Sequence, residues 1–329
     1  MADHAPIETE PPADRDAPVA PGLALGRAEW GMLGALSIIW GGSFLFMAVA
    51  ARELPTLTIV AARVTLAAAV LWAVIALRGA RVPRGRAVLG AFLVMGIVNN
   101  ALPFALLVIA AREIPAGLAA TLNAATPLLT VVIAGIALAD EPLRPNRLAG
   151  VAIGLGGVAA MMGIGQIGVG PAQGAGPLWA QGAVLLAALS YAGGAVFGRI
   201  FARLGIDPMV TAAGQISAAA LIVVPLALWV DTPWRLGLPS AEALAALGAL
   251  AVVSTGFAYV LYFRILARAG AGNIAAVTLL VPVSATLLGA LVLGERPGLA
   301  QGAGFVLIAA GLAVMQWPVR RLAIGPGRD

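Results

Sequence analysis

Ten long apolar runs organise this sequence: residues 30–50, 57–77, 87–111, 116–138, 148–166, 178–198, 208–230, 243–263, 271–293 and 299–317. Each is 19 to 25 residues long, the length an α-helix needs to cross the hydrocarbon of a bilayer. Hydrocarbon offers the backbone no hydrogen-bond partner, so such runs fold as helices that satisfy their own N–H and C=O groups. The breaks carry charge and proline, as in Arg52-Glu53-Leu54-Pro55, Asp140-Glu141-Pro142 and Glu295-Arg296-Pro297. The expected fold class is an all-α integral membrane protein with ten transmembrane helices. Composition agrees: 61% of residues are hydrophobic and 11% charged, against ~45–50% and ~25% in soluble domains. A soluble enzyme, a disordered protein and a coiled coil are excluded.

The 20 basic residues are all arginine, and they gather at the ends of the apolar runs. With the N-terminus in the cytoplasm, 15 fall on cytoplasmic segments and four (Arg52, Arg112, Arg235 and Arg296) on outer loops. That bias follows the positive-inside rule and places both termini in the cytoplasm. The net charge of +5 thus reflects topology, and no nucleic-acid partner is expected. Residues 1–29 are rich in Pro, Ala, Asp and Glu and lack the basic start and apolar stretch of a secretory signal; they read as a disordered cytoplasmic tail, with residues 318–329 as a second cytoplasmic tail. There is no cysteine, and the single histidine is His4, so neither a metal site nor a cofactor is expected.

The sequence repeats at a shift of 155 residues. Ala116-Gly117 falls on Ala271-Gly272, Asn99-Asn100 on Ser254-Thr255, Phe104 on Tyr259, Pro127 on Pro282 and Asp140 on Glu295. Five runs per half is an odd number, so the second half is expected to insert upside down relative to the first. The domains are a first five-helix repeat at 30–166, an extracytoplasmic linker at 167–177 and a second, inverted five-helix repeat at 178–317. Inverted repeats place a binding site near the midplane between halves.

Polar groups and helix breakers cluster at mid-run positions, where they are costly. Run 1 has Trp40, Gly41, Gly42 and Ser43. Run 3 has Asn99 and Asn100, followed by Pro103, and run 4 has Asn123 one turn before Pro127. The second half echoes this with Ser190 and Tyr191, with Ser254 and Thr255, and with Thr278 one turn before Pro282. Close helix packing accounts for the glycines and alanines. Two adjacent asparagines need more, namely interhelical partners or a water-accessible cavity. Thr255, Tyr259 and Tyr262 share a helix face; Tyr259 fits a cavity wall and Tyr262 an interfacial aromatic belt.

Arg63 is the only charged residue inside the ten runs. Two readings fit it: a side chain that snorkels to the outer interface, or a planar clamp for a substrate carboxylate. Gln215 lies at a similar distance into run 7 as an inverted counterpart. Glu141 and Glu295 end runs 4 and 9, where a carboxylate opposes the macrodipole of its own helix. Each is read as a local ion-pair partner, Glu141 with Arg144, or as a gate.

Ten spans in inverted halves, Trp40-Gly41-Gly42-Ser43-Phe44 in run 1, and Pro127 and Pro282 each followed by an acid resemble the EamA-type transporters of the drug/metabolite transporter superfamily. The resemblance covers residues 30–317. It implies a bacterial inner-membrane carrier, many such proteins being exporters of amino acids, metabolites or drugs. It also implies a cavity lined by runs 1, 3, 4, 6, 8 and 9. Ser43 stands where the family often has Asn, leaving a smaller polar group. The function expected is a secondary transporter, of exporting type, that moves a small organic solute by alternating access, with no enzymatic activity and no obligate protein partner. The substrate-binding candidates are Trp40, Ser43, Phe44, Arg63, Asn99, Asn100, Asn123, Tyr191, Thr255, Tyr259 and Thr278. Gly41, Gly42, Pro127, Glu141, Pro282 and Glu295 are candidate gating positions. A non-transporting scaffold or assembly subunit is the alternative, and an intramembrane enzyme a weaker one, because the runs offer no Asp, Glu, His or Cys for acid–base or metal chemistry.

Overall fold

The structure, a computed structural model, describes residues 26–83, 85–139, 141–162, 176–274 and 277–316. Residues 1–25 of the N-terminal tail, the C-terminal tail, most of the 167–177 linker and the ends of runs 5 and 10 lie outside the described residues, while Arg27–Glu29, read as tail, are helical and open α1. Those described form helices and no strand: α1 (Arg27–Ala50), α2 (Thr56–Arg78), α3 (Arg86–Gly96), α4 (Leu102–Ala110), α5 (Ala116–Asn123), α6 (Thr126–Ala137), α7 (Pro145–Met161), α8 (Leu178–Phe197), α9 (Arg199–Arg203), α10 (Pro208–Val230), α11 (Ala241–Gly248), α12 (Ala258–Ile274), α13 (Val277–Leu293) and α14 (Leu299–Gln316). Seven helical stretches among them are long and apolar enough to cross a membrane; Val277–Leu293 and Leu299–Met315 are apolar and shorter.

Helix ends follow local chemistry. Proline opens α7 and α10, where its missing N–H has no helical partner to lose. Asp207 caps α10 by accepting from the N–H groups of Met209 and Val210. Gly79, at φ +61°, lets α2 end in a left-handed turn. One boundary differs from expectation. Residues 264–270, read as a break between runs 8 and 9, are helical within α12, and α13 begins at Val277 instead of 271. Arg264 and Arg268 carry no helix-breaking signal, and α12 continues past them.

Packing partners interchange between the halves of the chain. α1 packs on α13 as α8 packs on α6; α2 packs on residues 249–257 as α10 packs on α3; α7 lies along α14, and α2 along α10. Glycine sets the closest approaches. A Cβ on Gly41 would meet the backbone of Ala285 at 2.8 Å, and one on Gly96 the backbone N of Ala219 at the same distance. Gly157 of α7 abuts the Gly304 carbonyl of α14. Apolar side chains drive no helix association inside lipid, so small residues permit the van der Waals contact that does. The principal core runs through both halves, while large apolar side chains such as Leu77, Ile136, Leu221 and Leu291 face outward.

Candidate functional site

Arg63 is the eighth residue of α2, roughly 10 Å along the helix at ~1.5 Å per residue. It does not snorkel. Its side chain turns into the protein and is 6% exposed. Nε donates to Thr255 Oγ1 at 2.9 Å. Nη1 points at Met47 Sδ, 3.7 Å away. Cζ lies 3.6 Å from the centroid of the Phe104 ring. Tyr191 and Tyr259 lie within electrostatic range of the guanidinium. Among the described residues no Asp or Glu pairs with it. The contacts of Arg63 come from the 249–257 segment, α1 and α4, so the side chain is directed into the protein.

Two π-helical segments shape the surroundings, Ile97–Ala101 between α3 and α4 and Ala249–Phe257 between α11 and α12. They contain Asn99-Asn100 and Ser254-Thr255, the polar pairs that the repeat superposes. Asn100 Nδ2 donates to the Met95 carbonyl at 3.5 Å, and Thr255 Oγ1 donates to the Leu250 carbonyl at 2.8 Å. Each side chain thus engages the carbonyl five residues back, the acceptor of the wider turn. Pro103 has no N–H to return to Val98, whose carbonyl instead accepts from Ser190 Oγ at 2.6 Å. Ser254 Oγ donates to the Ile39 carbonyl of α1 at 2.9 Å. Single π turns recur at functional positions because they re-aim side chains without ending the helix.

A polar chain completes the cluster. Asn99 Nδ2 donates to Gln215 Oε1 and Gln215 Nε2 to the Tyr259 hydroxyl, both at 3.4 Å. Gly194 of α8 makes room, since a Cβ there would meet Asn99 Oδ1 at 2.9 Å. Asn100 is fully buried, and its Oδ1 has no partner among the described residues. An unpaired buried acceptor costs about 1–3 kcal/mol unless water or a ligand supplies a donor.

The remaining candidates are placed elsewhere. Trp40 packs against Tyr262, ring centroids 5.6 Å apart, in a smaller core with Leu33, Leu36 and Ile265. Tyr262 is therefore packed against protein by Trp40 and Phe263. Ser43 is satisfied by its own helix, donating to the Trp40 carbonyl at 2.5 Å. Phe44 is buried in the principal core, one turn before Met47. Gly41 and Gly42 are packing positions against α13. Asn123 ends α5, its Oδ1 buried and without a partner among the described residues, just before the break at 124–125; Pro127 sits in the first turn of α6. α13 runs through Pro282 unbroken. Thr278 is half-buried in the first turn of α13 and makes no hydrogen bond to the Arg63 cluster.

The two acids at run ends behave differently. Glu295 accepts from the N–H of Ala116 at 2.7 Å and of Gly117 at 3.3 Å. It opposes its own helix but caps α5, whose N-terminus favours a negative charge. Glu141 pairs with Arg147 at 2.7 Å and lies 3.8 Å from Arg199. Arg144, the partner expected from i+3 spacing, is not the one used, because it is the N-cap of α7 while Arg147 lies in the helix. Beside Glu141 opens a pocket of about 320 Å³, lined by Thr130, Val131, Ala134, Ala195 and Val196 of α6 and α8 as well as Arg147 and Arg199.

Three residues of the Arg63 cluster carry no substrate assignment from sequence. Phe104 was visible only as the repeat partner of Tyr259, Gln215 as a buried polar residue in run 7. Met47 had no signal.

The profile of the EamA-like transporter family matches residues 29–163 and 178–317. The chain is 28% identical over 268 residues to the uncharacterized inner membrane transporter YedA of Escherichia coli K12, spanning 81% of this chain and 83% of YedA. Protein PecM of Dickeya dadantii is 26% identical over 68% of this chain and 72% of its own. The uncharacterized transporter YoaV of Bacillus subtilis is 24% identical over 85% and 94%. A crystal structure at 23% identity shares the fold, with a TM-score of 0.61 over 88% of this chain and 97% of that one.

Proposed function

The chain belongs to the EamA-like transporter family, and on that premise we propose that it is a secondary transporter, of exporting type, carrying a small organic metabolite, amino-acid-like compound or drug by alternating access. The observation that carries this reading is the buried polar cluster that spans the two halves of the chain: Arg63 bonded to Thr255, and Asn99 linked through Gln215 to Tyr259. Polar groups of this kind are expensive inside a membrane and mark solute pathways. The interchange of packing partners supports ten spans in inverted halves at 30–166 and 178–317, joined by an extracytoplasmic linker at 167–177. Arginine placement supports cytoplasmic tails at 1–29 and 318–329, and the description of YedA as an inner membrane transporter supports the bacterial inner membrane. Asn99, Asn100, Tyr191, Thr255 and Tyr259 line the solute site with Arg63. Trp40, Ser43, Phe44, Asn123 and Thr278 lie outside this cluster and are not assigned to the solute site.

Counterflow in proteoliposomes tests the proposal. The folded protein exchanges one class of amino acid, organic acid or drug saturably, and Asn100→Leu and Tyr259→Phe each slow that exchange about tenfold, in line with one lost buried hydrogen bond. Exchange undiminished in both variants refutes this site map. A folded protein that exchanges nothing on the panel supports the scaffold reading in its place.

A further inference from the structure

Arg63 sits among neutral groups. Its contacts are a hydroxyl, a thioether and an aromatic face, with no carboxylate paired to it among the described residues. A cation taken out of water is strongly penalised unless an opposite charge accompanies it, and a ring quadrupole offsets only part of that penalty. The guanidinium is also held in one orientation. Phe104 covers one face and Thr255 takes Nε. Nη1 faces only sulfur, a weak acceptor, at 3.7 Å, and Nη2 donates to no protein atom among the described residues. The Nη1–Nη2 edge is the fork that receives a planar carboxylate through two parallel hydrogen bonds.

We infer that the substrate is an organic monoanion, a carboxylate on an apolar or aromatic body, and that the protein exchanges one such anion for another; this rests on the transporter reading above. Arg63 is the only charge within the ten runs, so one monoanion makes the occupied site neutral, whereas a dianion leaves a net negative charge. Phe104, Tyr191 and Tyr259 around the guanidinium suit an aromatic or apolar body. Exchange follows from the same charge count. The empty carrier must change conformation with an unpaired buried cation, and the loaded carrier does so neutralised. Return of the empty form is therefore the slow step, and the membrane potential acts on that step alone.

The test uses the full-length protein in liposomes at pH 8, with protein-free vesicles as the blank. The probes are 3-phenyllactate, its neutral amide, the cation phenethylamine and the dianion phenyl phosphate. Saturable counterflow of 3-phenyllactate is expected at least about tenfold faster than its net efflux into anion-free buffer, with no counterflow of the amide or the amine. Arg63→Gln slows it about 30-fold, the loss of a charge-assisted pair, and Arg63→Lys restores part of the rate. Thermal unfolding of each variant verifies folding, and the stabilisation that 3-phenyllactate gives the wild type but not Arg63→Gln reports binding independently of flux. Counterflow of the amine or amide that survives Arg63→Gln overturns the anion inference and leaves the transporter reading intact. Net efflux as fast as counterflow overturns the exchange mechanism. A folded protein that is neither stabilised by nor exchanges any of the four overturns the inference; silence on the wider solute panel as well removes the transporter reading.

Discussion

The two ends of the helix bundle are held in different ways. At the end carrying the 51–55, 111–115, 231–240 and 294–298 connections, three carboxylates tie the first half of the chain to the N-terminus of a helix in the other half, or the reverse. Glu295 caps α5. Asp231 accepts from the N–H and hydroxyl of Thr58 at 2.7 and 2.9 Å in the first turn of α2. Glu53 accepts from the N–H and hydroxyl of Ser240, the N-cap of α11, at 2.7 and 2.5 Å. Arg112 adds a bond to the Leu54 carbonyl at 2.6 Å. At the opposite end Glu141, the acid that ends run 4, spends its short contact within its own half, on Arg147, and among the described residues reaches across to Arg199 at 3.8 Å, beside the open pocket. Carboxylates directed at helix N-termini are directional and charge-assisted, whereas a half-exposed ion pair contributes ~0–1 kcal/mol. One end is latched and the other stands open.

The absence of cysteine makes single-cysteine reporters clean tests of this contrast, with Thr286→Cys near the latch and Thr130→Cys in the open pocket. The largest effect is expected from Asp231→Asn combined with Glu295→Gln. Two caps at about 1 kcal/mol each correspond to a maleimide labelling rate at Thr286→Cys roughly 30-fold higher, with Thr130→Cys labelling reduced. Glu295→Gln alone raises the Thr286→Cys rate about fivefold on the same scale. If both variants label at the wild-type rate, the caps do not hold that end closed. Glu141→Gln is expected to change Thr130→Cys labelling by less than about threefold, as fits a weak ion pair; a tenfold change would make that contact a gate of equal weight.

Acid gives the smallest effect. The Ser240 hydroxyl, and then its N–H, hold the Glu53 carboxyl below its ordinary value of 4.5. A depressed carboxyl stabilises the latched form at pH values above its ordinary one, and that contribution is lost as pH falls through the lowered value. Maleimide reacts with the thiolate, so the Thr286→Cys rate is read relative to a free thiol at the same pH, and that ratio is expected to stay flat from pH 8 to 5 in the wild type and in Glu53→Gln. The two should differ by less than about twofold there, because Glu53 is fully exposed to solvent screening. A rise in that ratio as pH falls from 8 to 5, removed by Glu53→Gln, would contradict this.

Much of the site was legible in the sequence as a set of depths. Asn99-Asn100 and Ser254-Thr255 stood out as polar pairs at corresponding mid-run positions, and both lie in π-helical segments. Their placement could be read because polarity in an apolar run is a local signal. Rotation about the helix axis could not. Trp40 lies at the same depth as its neighbours yet joins Tyr262 instead of the Arg63 cluster. Arg63 looked equally suited to the interface and the interior, and which applied depended on the rotation of α2 that brings it onto Thr255 and Phe104.

By itself the sequence determined that this chain belongs in a membrane, most of its helical segments and where its polar positions lie in depth, though not that the helix of run 8 continues through 264–270. Those properties sum residue by residue from transfer free energies and from the bilayer's demand that backbones satisfy themselves. Only the tertiary structure decided that Arg63 meets Thr255, 192 residues away, that Glu295 caps α5 across 179, and that one end is latched while the other is open. Contacts at such separations are set by helix rotation and close packing, through glycines such as Gly41 and Gly96, and no local pattern of residues encodes them.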